Sequence, residues 1–180
     1  MLSLLTVGLV GALALADPAA PAPSSVMSPA HYLLLNAPER RVRAPDARVR
    51  SLLAEGLHQS RTFASLMTAL NHSDVIVYIE AVMILPKDTM GRLAMLPRVG
   101  GGSRYLRVQI RADLSRRDAI ALIGHELRHA LEIAEATEVR DTTSLIRLYE
   151  RIGHPTIGEH AYDTEAARDT GRVVRRELTS

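Results

Sequence analysis

The 180-residue sequence contains no cysteine and no tryptophan. The absence of cysteine excludes a disulfide, a thiol nucleophile, a cysteine-ligated zinc site, an iron–sulfur cluster and covalently attached haem. Any metal site must therefore use His, Asp and Glu side chains. Aromatic residues are also few, one Phe and five Tyr, so a hydrophobic core must consist of Leu, Ile, Val, Ala and Met.

The sequence also lacks a strong excess of charge and a long apolar run. The 22 Lys and Arg residues against 20 Asp and Glu residues give a net charge of only +2, which does not indicate a nucleic-acid partner. No apolar run reaches the roughly 20 residues that a membrane-spanning helix needs, so we expect no permanent span. A mean hydropathy of +0.03 with 23% charged residues is typical of one globular domain and excludes a wholly disordered chain or a polytopic membrane protein.

The amino terminus has the composition of an export signal. Residues 2–16 carry no charge and end in Ala14-Leu15-Ala16, the small-x-small pattern that a signal peptidase recognises. We therefore predict a signal peptide over residues 1–16, cleavage before Asp17 and a periplasmic or secreted protein. A buried amino-terminal helix and a retained anchor are the alternatives. Residues 17–44, rich in Pro and Ala, read as a linker, and residues 45–180 read as the folded domain.

Helical and strand patterns follow one another in the predicted domain. Asp46 and Ser60 can each cap a helix with apolar residues at helical spacing, and residues 75–79 have the β-branched composition of a buried strand. Two apolar segments, 93–96 and 105–111, flank a glycine-rich stretch and predict a hairpin. In the second segment Leu106, Val108 and Ile110 alternate with polar residues, so we expect them to face the core.

The residues that carry chemistry begin after Ser115. Ser115 and the following residues predict a helix cap, and residues 119–136 contain no proline, so a helix of about five turns is expected here. Its first residues are apolar on every side, which is typical of a central, buried helix. This helix carries His125, Glu126 and His129, the pattern H-E-x-x-H. Residues four apart lie on one face, so both imidazoles can bind one zinc ion while Glu126 reaches a water beside it. A pair of buried histidines without a metal is the alternative.

This motif resembles that of the zincin metallopeptidases. The third histidine of the metzincin pattern is absent, and Glu165-Ala166-Ala167-Arg168-Asp169 resembles the gluzincin pattern, in which a later glutamate completes the site and an aspartate supports a ligand. The resemblance thus implies Glu165 as third zinc ligand and Asp169 as the partner of a ligating histidine. Asp163 stands where it can cap the last helix. The remaining candidate ligands are Glu132, Glu159 and His160. The layout also resembles small uncharacterised exported bacterial proteins.

The resemblance further implies a fold and a reaction. The fold would be α+β and zincin-like, a small mixed or antiparallel sheet with a central metal helix and further helices on either side. The strand over residues 105–111 would lie at the sheet edge and pair with an extended peptide or protein substrate. Zinc would activate a water, Glu126 would act as general base, and Tyr162 would stabilise the oxyanion. The other candidates for this last role are Tyr149, His154 and His160. A non-catalytic zinc module, in which the metal is structural, is the alternative function.

Overall fold

The structure, a computed structural model, describes residues 5–6, 40–97, 102–156 and 161–178. Within these residues the chain is a mixed α+β fold with five helices and a small mixed sheet. The predicted cleavage site at Asp17 lies outside the described residues. The helices are α1 (Ala47–Gln59), α2 (Arg61–Asn71), α3 (Arg116–Glu135), α4 (Thr142–Ile152) and α5 (Glu165–Glu177). The strands are β1 (Leu5–Thr6), β2 (Val42–Arg43), β3 (Val75–Val82), β4 (Gly91–Met95), β5 (Arg104–Arg111), β6 (His154–Pro155) and β7 (Ala161–Asp163).

The main sheet has the strand order β2, β3, β5, β4. Strands β2, β3 and β5 run parallel, and β4 pairs antiparallel with β5 as the predicted hairpin. Strand β5 therefore has a hydrogen-bonded neighbour on both sides, and the prediction that it is an edge strand is wrong. Its backbone groups are used by β3 over eight residue pairs and by β4 over five. No row of free amides remains on β5 for a substrate strand.

A second, smaller sheet lies next to the last helix. Its central strand β7 pairs antiparallel with β1 on one side and with β6 on the other. Strand β7 ends at Asp163, and α5 begins two residues later at Glu165. Asp163 is thus the last residue of a strand, and Thr164 caps α5 by accepting a hydrogen bond from the amide of Ala167 at 3.1 Å. The prediction of Asp163 as the cap is therefore wrong.

The other predicted helix starts are confirmed. The side chain of Asp46 accepts from the amide of Val49, and that of Ser60 accepts from the amide of Phe63. Helix α3 begins at Arg116, after Ser115, whose hydroxyl accepts from the amide of Asp118. Each side chain satisfies one of the amides that have no partner at a helix start. None of the described helices has the length and apolar character needed to cross a bilayer.

Helix α3 packs between the main sheet and the other helices. Leu106, Val108 and Ile110 of β5 point into the core as predicted, and thirteen of the twenty residues of α3 are buried. Helix α5 lies directly against α3, because Gly171 has no side chain. A Cβ there would lie 3.3 Å from Cβ of His125 and 3.4 Å from the carbonyl oxygen of Ala121. This close contact holds the chain just before α5 beside the motif on α3.

A buried arginine fixes the carboxyl end of α3. Arg104, 1% exposed, lies at the start of β5 and pairs with Asp74 at 2.5 Å. It also donates to the carbonyl oxygens at the end of α3 and just beyond it, those of Ile133, Ala134, Ala136 and Val139. A cation at this end also compensates the negative end of the helix dipole. Arg104 thereby links the start of β5 to the carboxyl end of α3, the helix that carries His125 and His129.

Candidate metal centre

Three buried side chains from two elements converge at one point. His125 and His129 of α3 bring their Nε2 atoms to 3.1 Å of each other. Oδ1 of Asp163, at the end of β7, lies 3.3 Å from Nε2 of His125 and 3.4 Å from Nε2 of His129. Among the described residues these three form the group whose donor atoms could hold one metal ion. The structure thus pairs the two predicted histidines with an aspartate.

The spacing of these donor atoms fits a tetrahedral zinc site. Ligand atoms about 2.0–2.1 Å from a tetrahedral zinc lie about 3.3–3.4 Å from one another, close to the distances of 3.1, 3.3 and 3.4 Å found here. Oδ1 of Asp163 is buried, and its contacts with the two imidazoles, at 3.3 and 3.4 Å, are longer than the usual N–H···O hydrogen bond of about 2.7–3.2 Å. A buried carboxylate oxygen without a donor is costly unless a cation faces it. Two imidazoles and one carboxylate are also a donor set that zinc accepts.

The other ring nitrogen of His129 is held by a buried carboxylate. Nδ1 of His129 lies 2.9 Å from Oε2 of Glu132, one helical turn further along α3. Glu132 also accepts hydrogen bonds from the hydroxyl of Thr164 at 2.7 Å and from that of Tyr149 at 3.2 Å. A carboxylate in this position keeps the proton on Nδ1 and leaves the lone pair of Nε2 for a metal. Glu132 therefore orients the imidazole of His129 and does not belong to the donor cluster.

An arginine holds the second oxygen of the candidate ligand Asp163. Nε of Arg168 donates to Oδ2 of Asp163 at 2.9 Å, so only Oδ1 faces the histidines. Burial alone would raise the pKa of Asp163, but the adjacent imidazoles and Arg168 outweigh burial and hold this pKa well below its usual value. Asp163 is accordingly an anion that can offer one oxygen to a cation.

The metal-free cluster favours a proton on His129. Burial opposes the charged imidazolium, yet the carboxylates of Asp163 and Glu132 outweigh burial and raise the pKa of His129 from 6.5 to about 9. Burial also opposes the ionised form of Glu132, but His129 and Thr164 lower the pKa of this carboxyl below its ordinary value. The same carboxylates that favour this proton would favour a metal cation in its place, and a metal bound at the cluster would displace the proton.

The predicted base, Glu126, is completely buried beside the first histidine. Its carboxylate lies against the edge strand of the main sheet, at Gly91. A Cβ on residue 91 would come within 2.8 Å of Oε1 of Glu126 and 3.1 Å of the side chain of Leu122. Glycine at the start of β4 therefore leaves room for the carboxylate. Glu126 thus lies in the core between α3 and β4, next to His125 in the chain.

The structure does not bring the two residues of the second motif to this cluster. Glu165 has a side chain that is 60% exposed, and its Oε1 accepts from Arg172 at 2.7 Å. Asp169 is equally exposed and also pairs with Arg172. Both carboxylates lie on the solvent side of α5, whose buried residues are Ala167 and Val174. The third donor of the cluster is Asp163, two residues before Glu165.

The candidates for oxyanion stabilisation occupy different positions. Tyr162 lies on β7, but its direct neighbour Asp163 faces the cluster, and successive residues of a strand point to opposite faces. Tyr149 is completely buried, and burial together with Glu132 raises the pKa of its hydroxyl well above 10. It contacts His129 at Nδ1, away from the cluster. Glu159 and His160 lie outside the described residues, and His154 lies on β6.

A scan against protein-family models and searches of curated proteins and of solved structures found no match to this chain.

Proposed function

We propose that this protein is a zinc-dependent hydrolase of peptide bonds in which His125, His129 and Asp163 hold the metal. The observation that carries the proposal is the triangle of Nε2, Nε2 and Oδ1 atoms with edges of 3.1 to 3.4 Å. This set differs from the Glu165 site that the gluzincin pattern implies. The zincin type of fold and the export of the protein rest on the sequence and belong to the same proposal.

The number of ligands supports a catalytic site over a structural one. A structural zinc site is usually closed by four protein ligands, whereas a catalytic site has three and an open position. The donor cluster in the described part of the chain contains three residues. Zinc bound there would polarise a water and a substrate carbonyl, the chemistry that such an ion supplies in hydrolases.

Glu126 supplies the proton transfer in this proposal. It follows His125 directly on α3, is 0% exposed, and its Oε1 lies next to Gly91 of β4. A carboxylate next to the attacking water can accept a proton and then deliver it to the leaving amine. Glu132 and Arg168 orient the ligands instead. Glu132 binds Nδ1 of His129, and Arg168 binds Oδ2 of Asp163, and neither of these atoms faces the cluster.

The test is peptide hydrolysis by the Glu126→Gln variant. The purified zinc-loaded protein is incubated with an unfolded protein, and new peptide termini are identified by mass spectrometry. We expect cleavage by the parent protein, none by Glu126→Gln, and an equal zinc content in both, because base and ligands are different residues. Glu135→Gln, an exposed position on the same helix, is the matched control and should cleave normally. Full activity of Glu126→Gln would refute the proposal.

A further inference from the structure

The side of the main sheet that points away from α3 is basic. Strands β2, β3, β4 and β5 contain five arginines and a single acidic residue, Glu80. Arg104 is buried and pairs with Asp74, and Arg111 pairs with Asp113, which follows β5. The outward residues alternate with core residues along each strand, and none of them belongs to the hydrophobic core of the described chain. The central ones, defined as the outer face, are Arg43, Tyr78, Glu80, Arg92, Arg107 and Gln109.

The strand register arranges three arginines across the outer face. Arg43 is opposite Tyr78, and Tyr78 is opposite Arg107. Arg92 of β4 pairs with Gln109, two residues after Arg107, so it lies diagonally next to Arg107. Nη1 of Arg43 donates to the hydroxyl of Tyr78 at 3.2 Å, which holds this guanidinium group over β3. Neighbouring strands lie about 4.8 Å apart, so the three arginines span three strand spacings, about 14 Å.

The positive charge of these arginines exceeds what the strands neutralise. Oε1 of Glu80 lies 3.9 Å from Nε of Arg107, a buried atom that has no hydrogen-bond partner in the described part of the chain. Nε of Arg92 donates to the neutral side chain of Gln109 at 2.7 Å. Burial lowers the pKa of Arg92 below its ordinary value, and the charge of Arg107 lowers it further. An anion bound between Arg92 and Arg107 would relieve this repulsion.

The dimensions of the outer face fit a peptide with acidic side chains. An extended peptide turns every second side chain to one side, about 6.6–6.8 Å apart, so three such side chains span about 13–14 Å. This length matches the span of the three arginines. A guanidinium group binds a carboxylate through two parallel hydrogen bonds. Glu80 and Gln109 also offer oxygens that accept from backbone amides, whereas inorganic polyphosphate has no such donors and would be repelled by Glu80.

We propose that the outer face docks an extended acidic segment of a protein partner, with Arg43, Arg92 and Arg107 binding carboxylates at alternate positions. The docking surface lies on the side of the sheet opposite to α3, which carries His125 and His129, so binding there needs no metal. That the partner is the protein to be cleaved rests on the proposed function, whereas the binding itself does not.

The experiment measures how a short fluorescein-labelled peptide, in which Asp alternates with Ser, binds to the metal-free full chain. Fluorescence anisotropy is recorded at low ionic strength, where ion pairs are least screened. The test variant combines Arg92→Gln with Arg107→Gln. The matched control combines Arg61→Gln with Arg147→Gln, two exposed arginines on α2 and α4, and changes the net charge equally. Affinity should fall about 25-fold in the test variant, about fivefold for each partly exposed ion pair, and less than about twofold in the control.

Replacing Glu80 by Gln gives a second readout in the opposite direction. This change removes the carboxylate that competes for Arg107, so affinity for the acidic peptide should rise about two- to threefold. Circular dichroism checks that each variant is folded, and Glu80→Gln provides the test if the double arginine variant does not fold.

Four results would overturn the proposal. The double arginine variant could bind the peptide as tightly as the parent, the control pair could lose as much affinity, or Glu80→Gln could leave affinity unchanged or lower. Polyphosphate that competes for the same arginines and binds more tightly than the peptide would identify a phosphate polymer as the ligand instead. Because the protein is metal-free in this assay, a zinc-loaded chain that docks the peptide but cleaves nothing would refute the proposed function alone.

Discussion

Replacing Asp163 by Asn should weaken zinc binding by about 60- to 700-fold. Structural zinc sites bind with about 10–16 kcal/mol shared among four ligands, so one ligand contributes about 2.5–4 kcal/mol, and about 1.4 kcal/mol corresponds to a tenfold change. The substitution keeps the shape of the side chain and removes the charge that faces the two imidazoles at 3.3 and 3.4 Å. The loss of the Arg168 ion pair adds little, because that side chain is 37% exposed.

The matched control is Glu165→Gln, the same chemical change two residues later. Glu165 is exposed and bound to Arg172, so zinc affinity should not change. Glu132→Gln should give an intermediate loss of about 10- to 100-fold, the usual effect of removing a carboxylate that orients a ligating histidine. Affinities are measured by competition with a chromophoric chelator, and circular dichroism checks that each variant is folded. A larger loss in Glu165→Gln than in Asp163→Asn would refute the assignment of Asp163.

Three further predictions concern pH, stability and processing. The raised pKa of His129 stabilises the metal-free protein fully below pH 6.5, and this contribution is lost as pH rises through about 9. Urea unfolding should therefore show falling stability from pH 6.5 to 9.5 without metal, and a constant value in that range would contradict the proton on His129. Arg104→Met should lower the free energy of unfolding by roughly 3–5 kcal/mol, because it leaves buried carbonyl oxygens without their donor. Arg140→Met, which removes an exposed partner of the same Asp74, should cost less than about 1 kcal/mol, and equal losses would refute the role of Arg104. Intact-mass measurement of protein recovered outside the cytoplasm should give a chain that begins at Asp17, and a mass that includes residues 1–16 would indicate a retained segment.

The elements that could be predicted are those with a strong local signal. Asp46 and Ser60 have short polar side chains in front of apolar residues at helical spacing, and both cap helices. The alternation of Leu106, Val108 and Ile110 indicates the buried face of β5. The position of β5 in the sheet carries no such signal. Its parallel pairing with β3 joins residues that are far apart in sequence, with β4 between them in the chain.

The placement of Glu165 and Asp169 away from the cluster could have been inferred from the pattern of α5. At about 100° per residue, Ala167, Gly171 and Val174 form one stripe of the helix, and Ala167 and Val174 are buried in the structure. Glu165 and Asp169 lie on the opposite side of that stripe, where arginines pair with them. The spacing of Glu165 and Asp169 fits a known motif, but the apolar stripe decides which side of the helix faces α3.

Asp163 carries no signal of its own in the sequence. A carboxylate in front of a helix is more often a cap than a metal ligand, and here the capping task belongs to Thr164. The position of Asp163 depends on the pairing of the short strands β6 and β7, because Asp163 is the last residue of β7 and lies beside His125 of α3. Two- and three-residue strands lie below the length at which alternation of apolar and polar residues can be read.

The most direct test of the metal centre is a crystal structure of the zinc-loaded protein with anomalous diffraction recorded at the zinc edge. We expect one peak within about 2.2 Å of Nε2 of His125, Nε2 of His129 and Oδ1 of Asp163. Glu126 and Glu132 should be adjacent to the peak without binding it. A zinc ion bound by Glu165, or no zinc at the two histidines, would contradict the assignment of His125, His129 and Asp163 as the zinc ligands.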